Sequence, residues 1–218
     1  MNSLLRKRNI LFAVSIILIA SGLLILILTI PSIPAASSIK DVKGDAYALP
    51  IFPNKPVPVV RGYHDILNAS VKRVDDDGLL FSIELADGIE HYRDGYEVVY
   101  IWSIEYITPS LPLQKREYKL VIPYFPEEQG LSVKGWYIAV FNASSNEWLI
   151  PMLKVEDMRG NRVDIDLDAR VIGEPILLWW SVDVMVNVDT EVHGQPDYLM
   201  DSAPDDGKVM LSPLLTWG

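Results

Sequence analysis

The sequence predicts an all-β antiparallel sandwich, jelly-roll-like and with about eight strands, that follows one N-terminal transmembrane helix. Residues 10–30 contain no charged side chain. The chain after residue 30 alternates apolar and polar residues with a period of two, and no stretch of it has the 3.6-residue period of an amphipathic helix. We therefore expect a short cytoplasmic basic segment at 1–9, a transmembrane helix at 10–30, a tether at 31–40 and an extracytoplasmic β-sandwich domain at 41–218.

The apolar stretch at 10–30 has the length of a membrane span. As a helix, its twenty-one residues would extend about 31 Å, which matches the hydrocarbon core of a bilayer. Basic residues at 6–8 precede the stretch, and Pro31 and Pro34 follow it. Because cytoplasmic flanks are enriched in Lys and Arg, we expect a single-pass protein of the cell membrane with a cytoplasmic N-terminus.

A cleaved signal peptide is the alternative for the same stretch. The apolar part of a signal peptide usually has about 7–15 residues, which favours the membrane span. Small residues at 35–37 keep cleavage open. Both alternatives export the rest of the chain. Six prolines between residues 31 and 60 predict an extended tether and an irregular entry into the domain.

Strand-like alternation recurs along the exported part. The turn at 75–78, three Asp and a Gly, joins two alternating runs and predicts a hairpin, with Leu67, Ala69 and Val71 on one face of its first strand. A further strand, at 118–124, is expected to stop near Pro123 and Pro126. The alternating segments are 62–74, 79–86, 96–106, 118–124, 136–141, 147–155, 163–167 and 176–188.

Charge and composition exclude several classes of function. Three of the 19 basic residues lie before residue 30 and all 29 acidic residues lie after it, so the exported part carries a formal charge of −13. Nucleic acid and anionic head groups repel such a domain, and we expect neither as a partner. The chain has no cysteine, which excludes disulfides, thiolate catalysis and iron–sulfur clusters.

No sequence motif indicates catalysis. The chain lacks a Gly-x-Ser-x-Gly elbow, a His-Glu-x-x-His pair and a phosphate-binding glycine-rich loop, so we do not expect an enzyme. His64, His91 and His193 are far apart in sequence and predict no shared metal site. A haem would need an axial pair such as a histidine with a methionine. The candidate pairs are His193 with Met200, and His64 with Met152, Met158 or Met185, and the spacing selects none of them.

The six tryptophans allow three interpretations: core packing, a stacking platform for sugar rings, and contact with a partner. Trp179 and Trp180 are neighbours, so they must point to opposite faces of their strand and one of them is a candidate for the outer face. The set is Trp102, Trp136, Trp148, Trp179, Trp180 and Trp217.

Two sequons predict glycosylation on the exported side. Asn68 begins Asn-Ala-Ser within a strand, on the face opposite Ala69, and Asn142 begins Asn-Ala-Ser at a strand end, where a glycan would project freely. Two matches in a chain of this length are not far above chance.

Acidic residues flank the first and last parts of the predicted domain. Asp41, Asp45 and Asp65 lie around the first strand, and residues 201–206 contain three more aspartates. If the first and last strands are close, these carboxylates meet at one end of the sandwich and could bind calcium, which takes six to eight oxygen ligands. In so acidic a domain, the sequence favours a solvated acidic face that needs no metal. If a calcium site exists, Asp41, Asp45 and Asp65 are the expected ligands.

Several of these segments resemble a known group of sandwiches. Asp-x-x-Gly-Asp at 41–45, Asp-Ile-Leu-x-Ala-Ser-Val at 65–71 and Asp-Ser-Ala-Pro-Asp-Asp-Gly at 201–207 are similar to carbohydrate-binding-family-9-like and DOMON-like modules, including the C-terminal module of glucodextranases. The stretch 162–167 and Gly173 are similar to the penultimate strand and turn of that group. The resemblance implies a jelly-roll-like module that binds sugar in some members and haem in others, sometimes with structural calcium.

Together these features predict a membrane-anchored, extracytoplasmic, non-enzymatic binding or interaction module. It would serve as an accessory subunit of a membrane complex, with other membrane-protein subunits as partners, or as a cell-surface protein that binds a ligand such as a carbohydrate. The alternative is a DOMON-like haem-binding redox domain that serves a membrane enzyme.

Overall fold

A computed structural model of the protein describes residues 36–74, 77–88, 95–108, 112–126, 134–155, 158, 160–175, 177–188 and 196–211. The described residues form antiparallel strands and two short 3-10 turns, at Gly62–His64 and Ala169–Ile172. The strands are β1 Ala36–Lys40, β2 Leu49–Pro50, β3 Ile66–Arg73, β4 Gly78–Leu85, β5 Glu97–Ile107, β6 Lys115–Phe125, β7 Gly135–Asn142, β8 Glu147–Lys154, β9 Arg162–Asp168, β10 Leu178–Asn187, β11 Tyr198–Ala203 and β12 Val209–Leu211.

The stretch predicted to span a membrane, 10–30, lies outside the described residues. None of the helical segments in the described part of the chain has the length and apolar character of a membrane span. The described strands all belong to one compact unit, Pro34–Pro213.

The strands form two sheets that share one core. The smaller sheet has the order β1-β3-β4-β9, and the larger has the order β2-β11-β10-β5-β6-β7-β8. Phe81 of β4 and Trp102 of β5 meet edge to face across the core, with ring centroids 6.0 Å apart. Both side chains are completely buried. The prediction of an all-β antiparallel fold is confirmed.

The predicted hairpin around residues 75–78 is also confirmed. β3 pairs antiparallel with β4, and β4 pairs with β9 on its other edge. β9 shows the expected alternation, with Val163, Ile165 and Leu167 buried and the aspartates between them exposed. One detail is wrong: an irregularity in register between Ile66 and Asn68 leaves Ile66, rather than Leu67, in the core.

The described residues contain twelve strands where about eight are expected. β1, at Ala36–Lys40, lies within the segment predicted to be a tether, where the structure has a strand of the smaller sheet. β1 pairs along its whole length with β3, from Ala36 opposite Lys72 to Lys40 opposite Asn68. β12 continues the line of β11, because both pair with the same edge of β10 on either side of a loop at 204–208.

β6 ends at Phe125, directly before Pro126 and two residues after Pro123, so the expected end near these prolines is confirmed. Pro123 pairs with Val99 of β5, but the ladder with β7 has no paired residues at Ile122 and Pro123. A proline cannot donate a ladder hydrogen bond, so it is tolerated where the pairing on one side is interrupted.

Candidate functional site

The fold brings aspartates from three separate segments to one place. Asp41 follows β1, and its backbone N–H donates to the carbonyl of Leu67 at 3.0 Å, which fixes it beside the start of β3. Asp65 directly precedes β3. Asp201 lies on β11 and reaches β3 through its Oδ2, which accepts the N–H of Ile66 at 2.6 Å.

These carboxylates form two overlapping groups, called here the aspartate cluster. One group is Asp41, Asp201 and Asp205, and the other is Asp45, Asp65 and Asp201. Within each group, one oxygen of every carboxylate lies within 4.8 Å of the others. Asp201 belongs to both groups and therefore stands at the centre of the cluster.

The buried members of the cluster are held by backbone N–H groups. Asp65 and Asp201 are each only 5 % exposed. Both oxygens of Asp65 accept the N–H of Gly44, at 2.9 and 3.1 Å. Asp201 also accepts the N–H of Ser202, at 2.9 Å. These bonds fix where the carboxylates point.

Two oxygens in the cluster have lost water without gaining a hydrogen bond. Oδ2 of Asp41 and Oδ1 of Asp45 are buried and have no hydrogen-bond partner among the described residues. A buried carboxylate oxygen without a partner is costly, which is the reason to expect a ligand beside it.

Electrostatics in the cluster disfavour the ionised carboxylates. Burial, together with the neighbouring charges of Asp41 and Asp45, raises the pKa of Asp201 to about 7, although its backbone hydrogen bonds act to lower it. Burial also raises the pKa of Asp41 and of Asp65. A divalent cation would relieve this repulsion, and carboxylate oxygens are the ligands that calcium prefers.

The predicted ligands are brought together, but not as a set of three. Asp45 and Asp65 share one group, and Asp41 belongs to the other. Asp201 links the two, a role that sequence spacing does not reveal because it follows from the pairing of β11 with β10. Asp206 belongs to neither group and is exposed.

The two sequon asparagines are less accessible than expected. Asn142 is 8 % exposed, and its Oδ1 accepts the N–H groups of Ser144 and Ser145 at 3.0 and 3.1 Å. Through this oxygen, the asparagine caps the β7–β8 turn. Asn68 is half-buried, and its Oδ1 is buried without a hydrogen-bond partner among the described residues. Glycosylation itself stays a prediction.

Only one of the three histidines lies in the described part of the chain, so the expectation about a shared metal site stays a prediction. His91 and His193 lie outside the described residues. His64 is 1 % exposed in the 3-10 turn before β3, and its Nδ1 accepts the N–H of Arg61 at 3.2 Å. Of the methionines proposed as axial ligands, Met200 lies in the core, whereas Met152 and Met185 line a cleft on the larger sheet.

That cleft lies on the outer face of the larger sheet, the face turned away from the core. It has a volume of about 390 Å³. Its apolar lining comes from five neighbouring strands, β10, β5, β6, β7 and β8, and from Pro196. We call it the outer cleft, and its lining residues are Glu97, Val99, Ile101, Lys119, Val121, Pro123, Phe125, Ala139, Phe141, Trp148, Met152, Met185, Asn187 and Pro196.

The tryptophans divide between the core and the outer face. Trp180 is completely buried, and Trp179 lies on the opposite face of β10, half-buried. Trp148 of β8 is 57 % exposed and packs against Phe141, with ring centroids 4.9 Å apart. The prediction that Trp179 and Trp180 point to opposite faces is therefore confirmed. The most exposed tryptophan among the described residues is Trp148, in the outer cleft.

Comparison of the chain with protein-family models, with curated proteins and with solved structures gives no match.

Proposed function

We propose that this chain is a membrane-anchored, extracytoplasmic binding module with a jelly-roll-like sandwich, and that it is not an enzyme. The apolar stretch at 10–30 would be its membrane anchor, with the basic residues at 6–8 on the cytoplasmic side. It would act as an accessory subunit of a membrane complex or as a cell-surface ligand-binding protein. The resemblance to family-9-like and DOMON-like modules supports a binding role.

The observation that carries this proposal is the outer cleft. An antiparallel sheet needs only one apolar face to build a core, and its other face is usually solvated. Here the second face is also apolar at Val99, Val121 and Phe125. Val99 and Phe125 are buried in its floor, whereas Trp148 and Met152 of the same cleft are 57 % and 49 % exposed. An apolar cleft with such exposed side chains favours an occupant.

The lining favours an apolar ligand over a carbohydrate. A sugar needs several hydrogen-bonding groups around an aromatic platform. Among the described lining residues, only Glu97, Lys119 and Asn187 carry charged or amide side chains, and Glu97 accepts a hydrogen bond from Asn187 at 3.1 Å. Carbohydrate binding is thus the weaker form of the proposal.

We also propose that the aspartate cluster binds calcium as a structural ion. Asp41, Asp45, Asp65, Asp201 and Asp205 would supply the carboxylate ligands, and the ion would offset the repulsion among them. Two fully buried oxygens without a partner, on Asp41 and Asp45, support this assignment. The ion would tie the start of the domain to its end without taking part in a reaction.

Oxidative footprinting of the full-length protein in native membranes tests the binding role. Met152 in the outer cleft is 49 % exposed, and Met210 on β12, outside the cleft, is 41 % exposed. Hydroxyl radicals should oxidise the two similarly in the purified protein. If the cleft is occupied in the membrane, the ratio of Met152 to Met210 oxidation should fall severalfold there. An equal ratio in both samples would contradict the proposed role.

A further inference from the structure

We propose that the outer cleft binds a single-chain anionic amphiphile, an alkyl carboxylate with its head group at Lys119 and its chain along β6. This inference rests on the proposed binding role of the cleft and adds the chemical class of the ligand. It depends on the shape of the cleft floor and on the position of one cation within it.

The floor of the outer cleft follows one strand. Lys119, Val121, Pro123 and Phe125 alternate along β6 and all line the cleft. Six residue steps of a strand extend about 20 Å, so this row of side chains is a long track with a cation at one end. This shape matches an extended alkyl chain better than a compact ring.

Apolar side chains form both walls of this track. Val99 and Ile101 of β5 stand on one side, with Met185 of β10 behind them. Phe141 of β7 and Trp148 of β8 stand on the other. Methionine side chains adapt to a flexible apolar chain, because they are unbranched and polarisable. The walls therefore offer contacts for methylene groups and few for hydroxyls.

Lys119 is the only lysine or arginine among the described residues that line the cleft. It is half-buried, and the structure shows no hydrogen bond or ion pair between its ammonium group and a described residue. Lys119 interacts electrostatically with Asp183, whose carboxylate also accepts a hydrogen bond from the Ser202 hydroxyl at 2.8 Å. A monoanionic head group would complement this cation.

The overall negative charge of the domain does not exclude such a ligand. Exposed charges are screened beyond about 8 Å at physiological ionic strength, whereas a cation next to the ligand in a partly buried cleft is screened much less. Net charge therefore affects the rate of approach more than the contact with Lys119.

Photoaffinity labelling of the full-length protein in lipid nanodiscs tests the inference. The probe is a dodecanoate with a diazirine in its chain, and the matched probe is the corresponding alcohol. Labelled peptides are mapped by mass spectrometry. We expect the carboxylate probe to label β6 and β8, and Lys119→Glu to reduce this labelling at least tenfold. Lys72→Glu, which makes the same charge change at an exposed position on the smaller sheet, should leave it unchanged.

Several results would overturn the inference. Equal labelling of the cleft by the alcohol probe, or equal labelling in Lys119→Glu with an unchanged melting temperature, would show that the carboxylate does not meet Lys119. Labelling confined to residues 10–30 would show that the probe only partitions into lipid. If native mass spectrometry showed a dimer and the probe did not label the cleft, the cleft would be assigned to self-association. In each case, protection of Met152 in the footprinting experiment would leave the binding role standing.

Discussion

At the scale of single residues, the backbone conformation at position 173 strongly favours glycine. This glycine ends the 3-10 turn after β9 with φ 82° and ψ 29°, in the left-handed region that favours glycine. A Cβ at this position would lie 2.6 Å from the hydroxyl of Tyr106. Tyr106 is itself buried and stacks on Tyr118 with ring centroids 5.8 Å apart, so it has little room to move.

We therefore expect Gly173→Ala to destabilise the protein more than a glycine replacement with open space around it. The left-handed strain should cost about 1–2 kcal/mol and the contact with Tyr106 about 1–3 kcal/mol more. Gly160→Ala is the control, because Gly160 has φ 74° and a Cβ added there would meet no atom within 4 Å. Urea unfolding of both variants measures the difference, and equal losses of stability would contradict the prediction.

The sequence predicts part of the aspartate cluster but not its central residue. Their spacing and the resemblance together predict that Asp41, Asp45 and Asp65 approach one another, because all three lie near one short strand. The central position of Asp201 depends on contacts across 135 residues of sequence, such as its bond to Ile66. No local pattern encodes such a contact.

At the scale of elements, β1 illustrates what local patterns miss. Its sequence, ASSIK, is short and mixed, and it forms a strand only because β3 pairs with it. Ser37 of β1 is buried, and its hydroxyl accepts a hydrogen bond from the indole Nε1 of Trp180 at 2.7 Å. One side-chain bond thus links the edge of the smaller sheet to β10 of the larger one.

We expect Ser37→Ala to lower the free energy of unfolding by about 1–3 kcal/mol, because it leaves the buried indole N–H without a partner. Ser38→Ala is the matched control: Ser38 is the next residue of β1 and is exposed, so its replacement should change stability by less than about 0.5 kcal/mol. Thermal melting compares the two. If Ser37→Ala behaved like the control, the hydrogen bond to Trp180 would not contribute to the stability of the fold.

Longer strands are predicted better than short ones, for a physical reason. The two-residue period of β5, β9 and the β3–β4 hairpin reflects one buried face, and that pattern is local. β2 and β12 have only two and three residues, too few for any period to be visible. The outer cleft is not visible in sequence either, because it arises when residues of five strands line one face.

At the scale of the whole sandwich, the aspartate cluster ties the first strands of the described unit to the last. Asp41 and Asp45 follow β1, and Asp201 and Asp205 lie at β11 and just after it. The sequence predicts this convergence only if the first and last strands are close, and the order of the sheets cannot be read from a single chain. A cation bound there would stabilise the folded state by mass action.

The most direct test of this account is the melting temperature of the full-length protein in nanodiscs, with excess calcium and with chelator at matched ionic strength. At one hundred times the dissociation constant, calcium should add about 2.7 kcal/mol, a rise of about 5–10 °C for a domain of this size. Asp201→Asn should remove most of this rise, while Asp206→Asn, an exposed position outside both groups, should keep it. An unchanged midpoint in the unmodified protein, with no calcium in it by elemental analysis, would contradict the calcium site.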